Sequence, residues 1–437
     1  KSKTINTMKN LCLSLILLSL AWFTFSCSDD DPMPDEAESY ADLESEWIRL
    51  AVVTGNNQIS IMNPISGETT FEVSSSLTEG ARYYPSGTGR YLVSVERSQN
   101  QVRFFDSGIE NHEDHGHEYQ ALWLDRTLSS PTPTHFSALW EDIVIFNDGD
   151  GSILHIEERR LEFDGYSPTP IAVADQHHGA AVKMDHGLFA VTFRDQALDD
   201  VLPQMIKLVD DQGQIQAENN EVQVGRIHGN ASNGEYAAFG STDGILLANT
   251  SNEISLIPNI EGLNAESGNW IGTLRGHDDV DVFYGWARSL GIYLIDPVAG
   301  TMTSLYAGDD VKSLFFSQKG EYLILHKTND DIIVYDAHDG DKMTEAPVSL
   351  AHDANAYNAR KGYKTEVEAL RAMNEPERVL GVSGGFLYTL EPTGDQVKIF
   401  DLHDMEEVHS MQLDSPVDNL FIMGFVTDGH GDHDHDH

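Results

Sequence analysis

Glu321-Tyr322-Leu323-Ile324-Leu325-His326, then Asp331-Ile332-Ile333-Val334-Tyr335-Asp336, then Ala337-His338-Asp339-Gly340 is the stretch that decides the fold. Two apolar runs of strand length, without helical spacing, are joined and followed by Asn, Asp and Gly. Those residues close hairpins, because Asx side chains hydrogen-bond nearby backbone N–H groups and Gly accepts positive φ. The same pair of runs returns at 50–55 with 58–62, 90–96 with 101–106, 142–147 with 152–157 and 187–194 with 205–210. It continues at 235–240 with 244–249, 281–286 with 291–296 and 386–391 with 396–401. The chain therefore reads as all-β.

Copies spaced by roughly 40 to 65 residues have the period of four-stranded propeller blades, whereas a solenoid would repeat more tightly. Turns such as Asn63-Pro64-Ile65-Ser66-Gly67, Asp296-Pro297-Val298-Ala299-Gly300 and the one ending at Gly340 resemble those of YVTN and WD-type propellers. The expectation is a β-propeller over 46–426 with eight blades rather than seven. The run from Val417 to Phe425 follows the last full unit and should supply the innermost strand of the first blade, closing the ring. Within the irregular stretch 342–377, residues 365–373 have helical spacing and predict a helix on the rim.

The N-terminus reads as an address. A basic start near Lys9, the apolar run from Leu11 to Phe25 and then Ser26-Cys27 fit a lipoprotein signal over 1–27, with Cys27 as the lipidated residue. The competing reading is an ordinary secretory signal in which Cys27 is an incidental thiol. The apolar run falls short of the roughly 20 residues a spanning helix needs. Residues 28–45 are acidic and poor in large apolar side chains, as expected of a solvated tether, and resemble the surface-export signals of Bacteroidota lipoproteins. This predicts a lipid anchor in the outer membrane of the cell envelope, on its periplasmic or its outer side. With Cys12 and Cys27 the only cysteines, any metal site in the body must use His, Asp, Glu or water. The net charge of −44, from 71 acidic against 27 basic side chains, repels phosphate backbones and argues against nucleic acid.

Nineteen histidines stand out in so acidic a chain. His135, the pair His177-His178 and His228 fall where one blade's outer strand returns to the next blade's inner strand, at matching positions in three consecutive blades. Propeller geometry would bring these side chains to one mouth of the central channel. Three imidazoles meeting there suit zinc, which takes four ligands and readily accepts His nitrogen and carboxylate oxygen. Glu79, Asp309, Asp418 or water would complete the set. In the competing reading, each histidine simply hydrogen-bonds to a neighbouring blade.

A second group, His112, His115 and His117 on an acidic loop, is expected on the opposite face near His186 and the Gly276-His277-Asp278-Asp279 turn. With the tail 427–437, which alternates His and Asp, it would collect metal. The ordered set of the His112 loop, the His135 segment, His178-Gly179-Ala180-Ala181-Val182, His228-Gly229, Gly276-His277-Asp278-Asp279 and His326-Lys327 is similar to the AztD-type periplasmic zinc metallochaperones. The resemblance runs from about Trp47 to Phe425 and implies a propeller that hands zinc to the binding protein of an ABC-class importer. The lipid anchor, acidic tether and His-rich tail depart from that pattern, so an outer-membrane transporter is an alternative recipient.

Gly-x-Ser-x-Gly, a phosphate-cradling glycine loop and His-Glu-x-x-His are all missing from the sequence, which argues against the common hydrolases and kinases. Arg194, Arg226 and Arg275 could bind an anionic substrate or bridge blades. The leading expectation is a non-enzymatic zinc carrier. The alternatives are a protein-interaction scaffold with incidental metal affinity and a metal-dependent lactonase.

Overall fold

A computed structural model describes residues 39–54, 58–73, 77–78, 80–112, 115–351 and 379–427. Cys27, most of the tether, Glu79, the expected helix at 365–373 and the tail from 428 onward lie outside the described residues. The chain divides into two compact units, Lys1–Leu43 and Glu44–His437. In the first, the described residues form one helical turn, Tyr40–Leu43. The second is an eight-bladed propeller, each blade a four-stranded antiparallel sheet. The repeated pairs of the sequence are the second and third strands of the blades, as in Tyr322–Lys327 with Asp331–Asp336.

Blade one closes the ring. Its order is Thr69–Val73, Ile59–Met62, Arg49–Thr54 and, innermost, Val417–Met423. Leu50 pairs with Ile422 and Val52 with Leu420 in that antiparallel clasp. Blades two to eight occupy residues 82–129, 133–172, 181–218, 227–258, 271–307, 311–347 and 380–412 in turn. The strands form because apolar side chains project from both faces of each sheet and both faces are covered by a neighbouring blade. The second strand Tyr91–Glu96 is accordingly buried at all six positions. The core is a set of clusters between adjacent blades, such as Phe146, Phe189 and Val191 between blades three and four. The hairpin turns work as their residues demand: Asp296 Oδ1 accepts the N–H groups of Val298 and Ala299, and Gly300 takes φ +65°.

Strand direction defines two faces. Inner strands begin at one, here the entry face, and end at the other, the exit face. The segment Glu44–Ile48 leads into blade one at the exit face, where Ser45 Oγ donates to Phe425 O at 2.8 Å and Trp47 stacks on Phe425. Among the described residues no helix is long and apolar enough to cross a membrane.

Candidate metal centre

The entry-face ends of three inner strands converge on one point. His135 lies on Pro133–Leu139 of blade three and His228 on Ile227–Ser232 of blade five. His178 precedes Ala181–Lys183 of blade four. In blades three and five the register slips at the histidine, between Pro133 and His135 and between Ile227 and Asn230. Such a bulge bends a strand and re-aims a side chain, here toward the axis. Blade six slips at the equivalent place, between Ile271 and Thr273, and its Gly272 carbonyl meets His228. Gly229, at φ +83°, permits that approach, because a Cβ there would stand 2.7 Å from Gly272 O.

One ring nitrogen from each of His135, His178 and His228 lies within 4.8 Å of the other two. The ring centroids are 5.0 to 5.5 Å apart. His178 and His228 are buried and His135 is half-buried. The hydrogen bonds set the tautomers. His178 Nδ1 faces Asp148 Oδ2 at 2.8 Å, and His228 Nδ1 faces Gly272 O at 2.9 Å. Both partners only accept, so each Nδ1 carries the proton and each Nε2 offers a lone pair. His135 Nε2 lies 3.4 Å from His178 Nε2, long for a hydrogen bond. Two nitrogens bound to one tetrahedral zinc at 2.0 to 2.1 Å would be separated by about 3.3 to 3.4 Å. The donor set, tautomers and spacing thus fit a single divalent ion of zinc size.

Asp148 supports this set. Burial alone would raise its carboxyl, but the hydrogen bond from His178 and the charge of Arg97 beyond hold it below the ordinary carboxylate range. Arg97 approaches Asp148 at 3.0 Å and also donates to Thr132 O and Thr134 Oγ1. A carboxylate behind a ligating imidazole fixes the ring and strengthens it as a donor. The histidine spacing gave no hint of Asp148 or Arg97. The available signal was that Asp148 directly follows the second strand of blade three, Asp142–Asn147, at the same face where His178 leads into the inner strand of blade four.

The other sequence candidates sort differently. His177 turns away from the trio: Nδ1 faces Asp175 O at 2.7 Å, Nε2 faces Thr192 Oγ1 at 3.1 Å, and the ring packs on Phe146. Burial pushes its pKa down, which keeps it neutral. His112, His115 and His117 sit on a hairpin of Ile109–His112 and His115–Glu118, with ring centroids 4.9 to 5.6 Å apart. This hairpin joins the third and outer strands of blade two at the exit face, opposite the trio. It rests on blade one, with Gly116 against the Trp47 ring and Glu118 paired to Arg49 at 2.9 Å.

His186 lies in the blade-four turn at φ +59°, and His277 packs against Gly320 of blade seven. They share the exit face with the hairpin but belong to other sectors of the ring. His277, Asp278 and Asp279 form the second group with ligand atoms within 4.8 Å. Both His277 nitrogens are engaged, Nδ1 accepting from Asp279 N–H and Nε2 facing Gln318 O. His326 is fully buried, with Nε2 3.1 Å from Asp330 Oδ1. Neither Asp309 nor Asp418 joins the trio's group among the described residues. Arg226 pairs with Asp200 of blade four, and Arg275 donates to Leu314 O of blade seven, so both bridge blades.

Comparison with solved structures places the architecture. Crystal structures of AztD from Citrobacter koseri superpose at TM-scores of 0.70 and, for the apo form, 0.68. Both are 18% identical and cover 88% and 87% of this chain and 100% and 99% of theirs. The fold is that of AztD. The computationally designed Ika8 protein matches less well, at a TM-score of 0.50 and 13% identity over 82% of this chain and 94% of that one. No family model and no curated protein matches the sequence. The likeness to AztD therefore rests on shape, at 18% identity, and this chain forms its ring from eight blades and a closing strand.

Proposed function

We propose that this chain is a zinc-binding propeller that captures the ion at the entry-face mouth and hands it on in the cell envelope, tethered by lipid at Cys27. One observation carries the reading: His135, His178 and His228, far apart in sequence, offer nitrogens to one point, and two of the rings are fixed with Nε2 lone pairs inward. Three neutral imidazoles leave the fourth position for water or for a donor from a recipient. An acceptor protein could enter there and draw the ion off by ligand exchange. The AztD-type fold and the resemblance of the histidine segments support zinc as the cargo.

The test is a competition titration of the metal-depleted full chain with zinc against a chromophoric chelator. His135→Ala, His178→Ala and His228→Ala should each weaken the tight site at least about tenfold, since each removes one of three protein ligands. His177→Ala should leave it unchanged. Unaltered affinity in all three trio variants would place the metal elsewhere. Transfer is checked separately: zinc should reach a metal-free importer binding protein faster than it is released to chelator alone. An open fourth position is also what catalytic zinc uses, so lactone turnover that disappears on chelation would overturn the carrier reading.

A further inference from the structure

Arg194 follows Phe189–Phe193, the second strand of blade four, at the entry face. There Thr192 N–H donates to Ala180 O at 3.0 Å, so Arg194 stands at a strand end beside the His178 segment. The loop 194–204 is held in place. Gln204, fully buried, accepts Asp195 N–H on Oε1 at 2.9 Å and donates its own backbone N–H to Phe193 O at 3.1 Å. Val201 O accepts from His178 N–H at 3.3 Å, which fastens the loop to the trio's own backbone. The charge of Arg194 is felt at His177, where it adds to the burial that keeps that ring neutral.

In a chain with 71 acidic against 27 basic side chains, arginines meet carboxylates readily, as Arg97 meets Asp148, Arg103 meets Glu96 and Arg226 meets Asp200. Among the described residues Arg194 pairs with none, and its Nε is enclosed without a hydrogen-bond partner. The acids of its own loop are committed elsewhere. Asp195 Oδ1 accepts from Ala197 N–H at 2.9 Å, and Asp200 accepts from Leu202 N–H at 3.1 Å and pairs with Arg226. A charged N–H donor shut away from water costs stability until an acceptor reaches it. The side chain as a whole is half-buried, so the guanidinium is open at one end. The acceptor that fits has two oxygens in one plane, one for Nε–H and one for Nη–H, which describes a carboxylate. The net charge of −44 disfavours more highly charged anions such as phosphate.

We propose that Arg194 anchors a carboxylate at the entry-face mouth, and that this carboxylate supplies the fourth ligand to the ion held by His135, His178 and His228. Zinc readily accepts carboxylate oxygen beside His nitrogen. The ligand role rests on the zinc reading, whereas anion binding at Arg194 does not. Two sources have this chemistry: a small organic acid free in solution, and an Asp or Glu side chain of the acceptor that draws the ion off.

The full chain is stripped of metal on a chelating resin and titrated with sodium acetate at constant ionic strength, with binding read by saturation-transfer NMR on the acetate methyl. A saturable signal that weakens at least about tenfold in Arg194→Gln, and is unchanged by Arg288→Gln at an exposed arginine, would support a free acid as ligand. Arg194→Lys keeps the charge without the paired donors and should fall between. With zinc added, acetate should shift a chelator competition toward the unaltered chain and not toward Arg194→Gln; no such shift would strike the ligand role. Should acetate fail to bind, Arg194→Gln should slow zinc transfer to the metal-free importer binding protein at least about tenfold with zinc affinity unaltered, which would support the acceptor's side chain. Acetate binding indifferent to Arg194→Gln, or failure of both effects, would overturn the proposal. The acetate titration contains no zinc, so it stands whether or not the trio holds the ion. Circular dichroism melts check folding, and Arg194→Gln removes no hydrogen bond or ion pair among the described residues.

Discussion

Asp148 makes the residue scale testable, because it touches the site only through His178. Replacing it by Asn keeps the shape and a possible hydrogen bond to Nδ1 but removes the charge that strengthens the ring. Zinc affinity should fall by about 10- to 100-fold with stoichiometry unchanged, as read by chelator competition. Glu158 poses a different residue-scale question. It is fully enclosed and accepts from Gly87 N–H at 2.9 Å and Thr88 Oγ1 at 2.6 Å, tying blade three to the inner turn of blade two. Burial outweighs those bonds and raises its pKa from 4.5 to about 7. The folded state thus holds the proton more tightly than the unfolded chain. The associated stability is complete below the unfolded value and is lost as pH rises through the folded one. Between pH 4.5 and about 7, the native chain should lose roughly 3 kcal/mol relative to Glu158→Gln, and the difference should level off above that window. Urea titrations of both chains across that range check it. At this scale the sequence was partly legible: matched positions singled out the trio, but in His177-His178 only the fold decides which ring faces the axis.

At the scale of elements, the clasp has the most direct consequence. Phe421 pairs with Ala51 across blade one and packs near Tyr83 of blade two, so it joins ring closure to the first interface between blades. Phe421→Ala should cost about 3 to 5 kcal/mol, seen as a lower urea midpoint, because the void left in a dense interface collapses only in part. A change under about 1 kcal/mol would mean that the clasp is marginal to the fold. The second and third strands of every blade were visible because their apolar runs and Asx-Gly turns repeat. Inner and outer strands were harder to see. The inner strand Ala181–Lys183 has three residues and the outer strand Ile171–Ala172 has two, too few to show alternation. The His112 segment read as a loop, yet it forms a paired hairpin because Gly116 leaves room for the Trp47 ring, a contact between blades that local pattern cannot show.

At the scale of the whole molecule, the net charge of −44 is the dominant long-range feature. Like charges repel most in the compact state, and salt screens them over about 10 Å at 0.1 M. Melting temperature should therefore rise as sodium chloride increases from about 10 to 150 mM, and a flat profile would show that the acidic groups are compensated locally. Ring closure carries one more mechanical implication. A pull transmitted along the chain from before Glu44 would reach the propeller first at Glu44, which accepts from Ser383 and Tyr388, and Ser45, which donates to Phe425 O, and then at Arg49–Thr54, which is flanked by Ile59–Met62 on one side and Val417–Met423 on the other. Such a load shears two ladders of hydrogen bonds at once instead of unzipping an edge, so the ring is held where an anchored body would be strained.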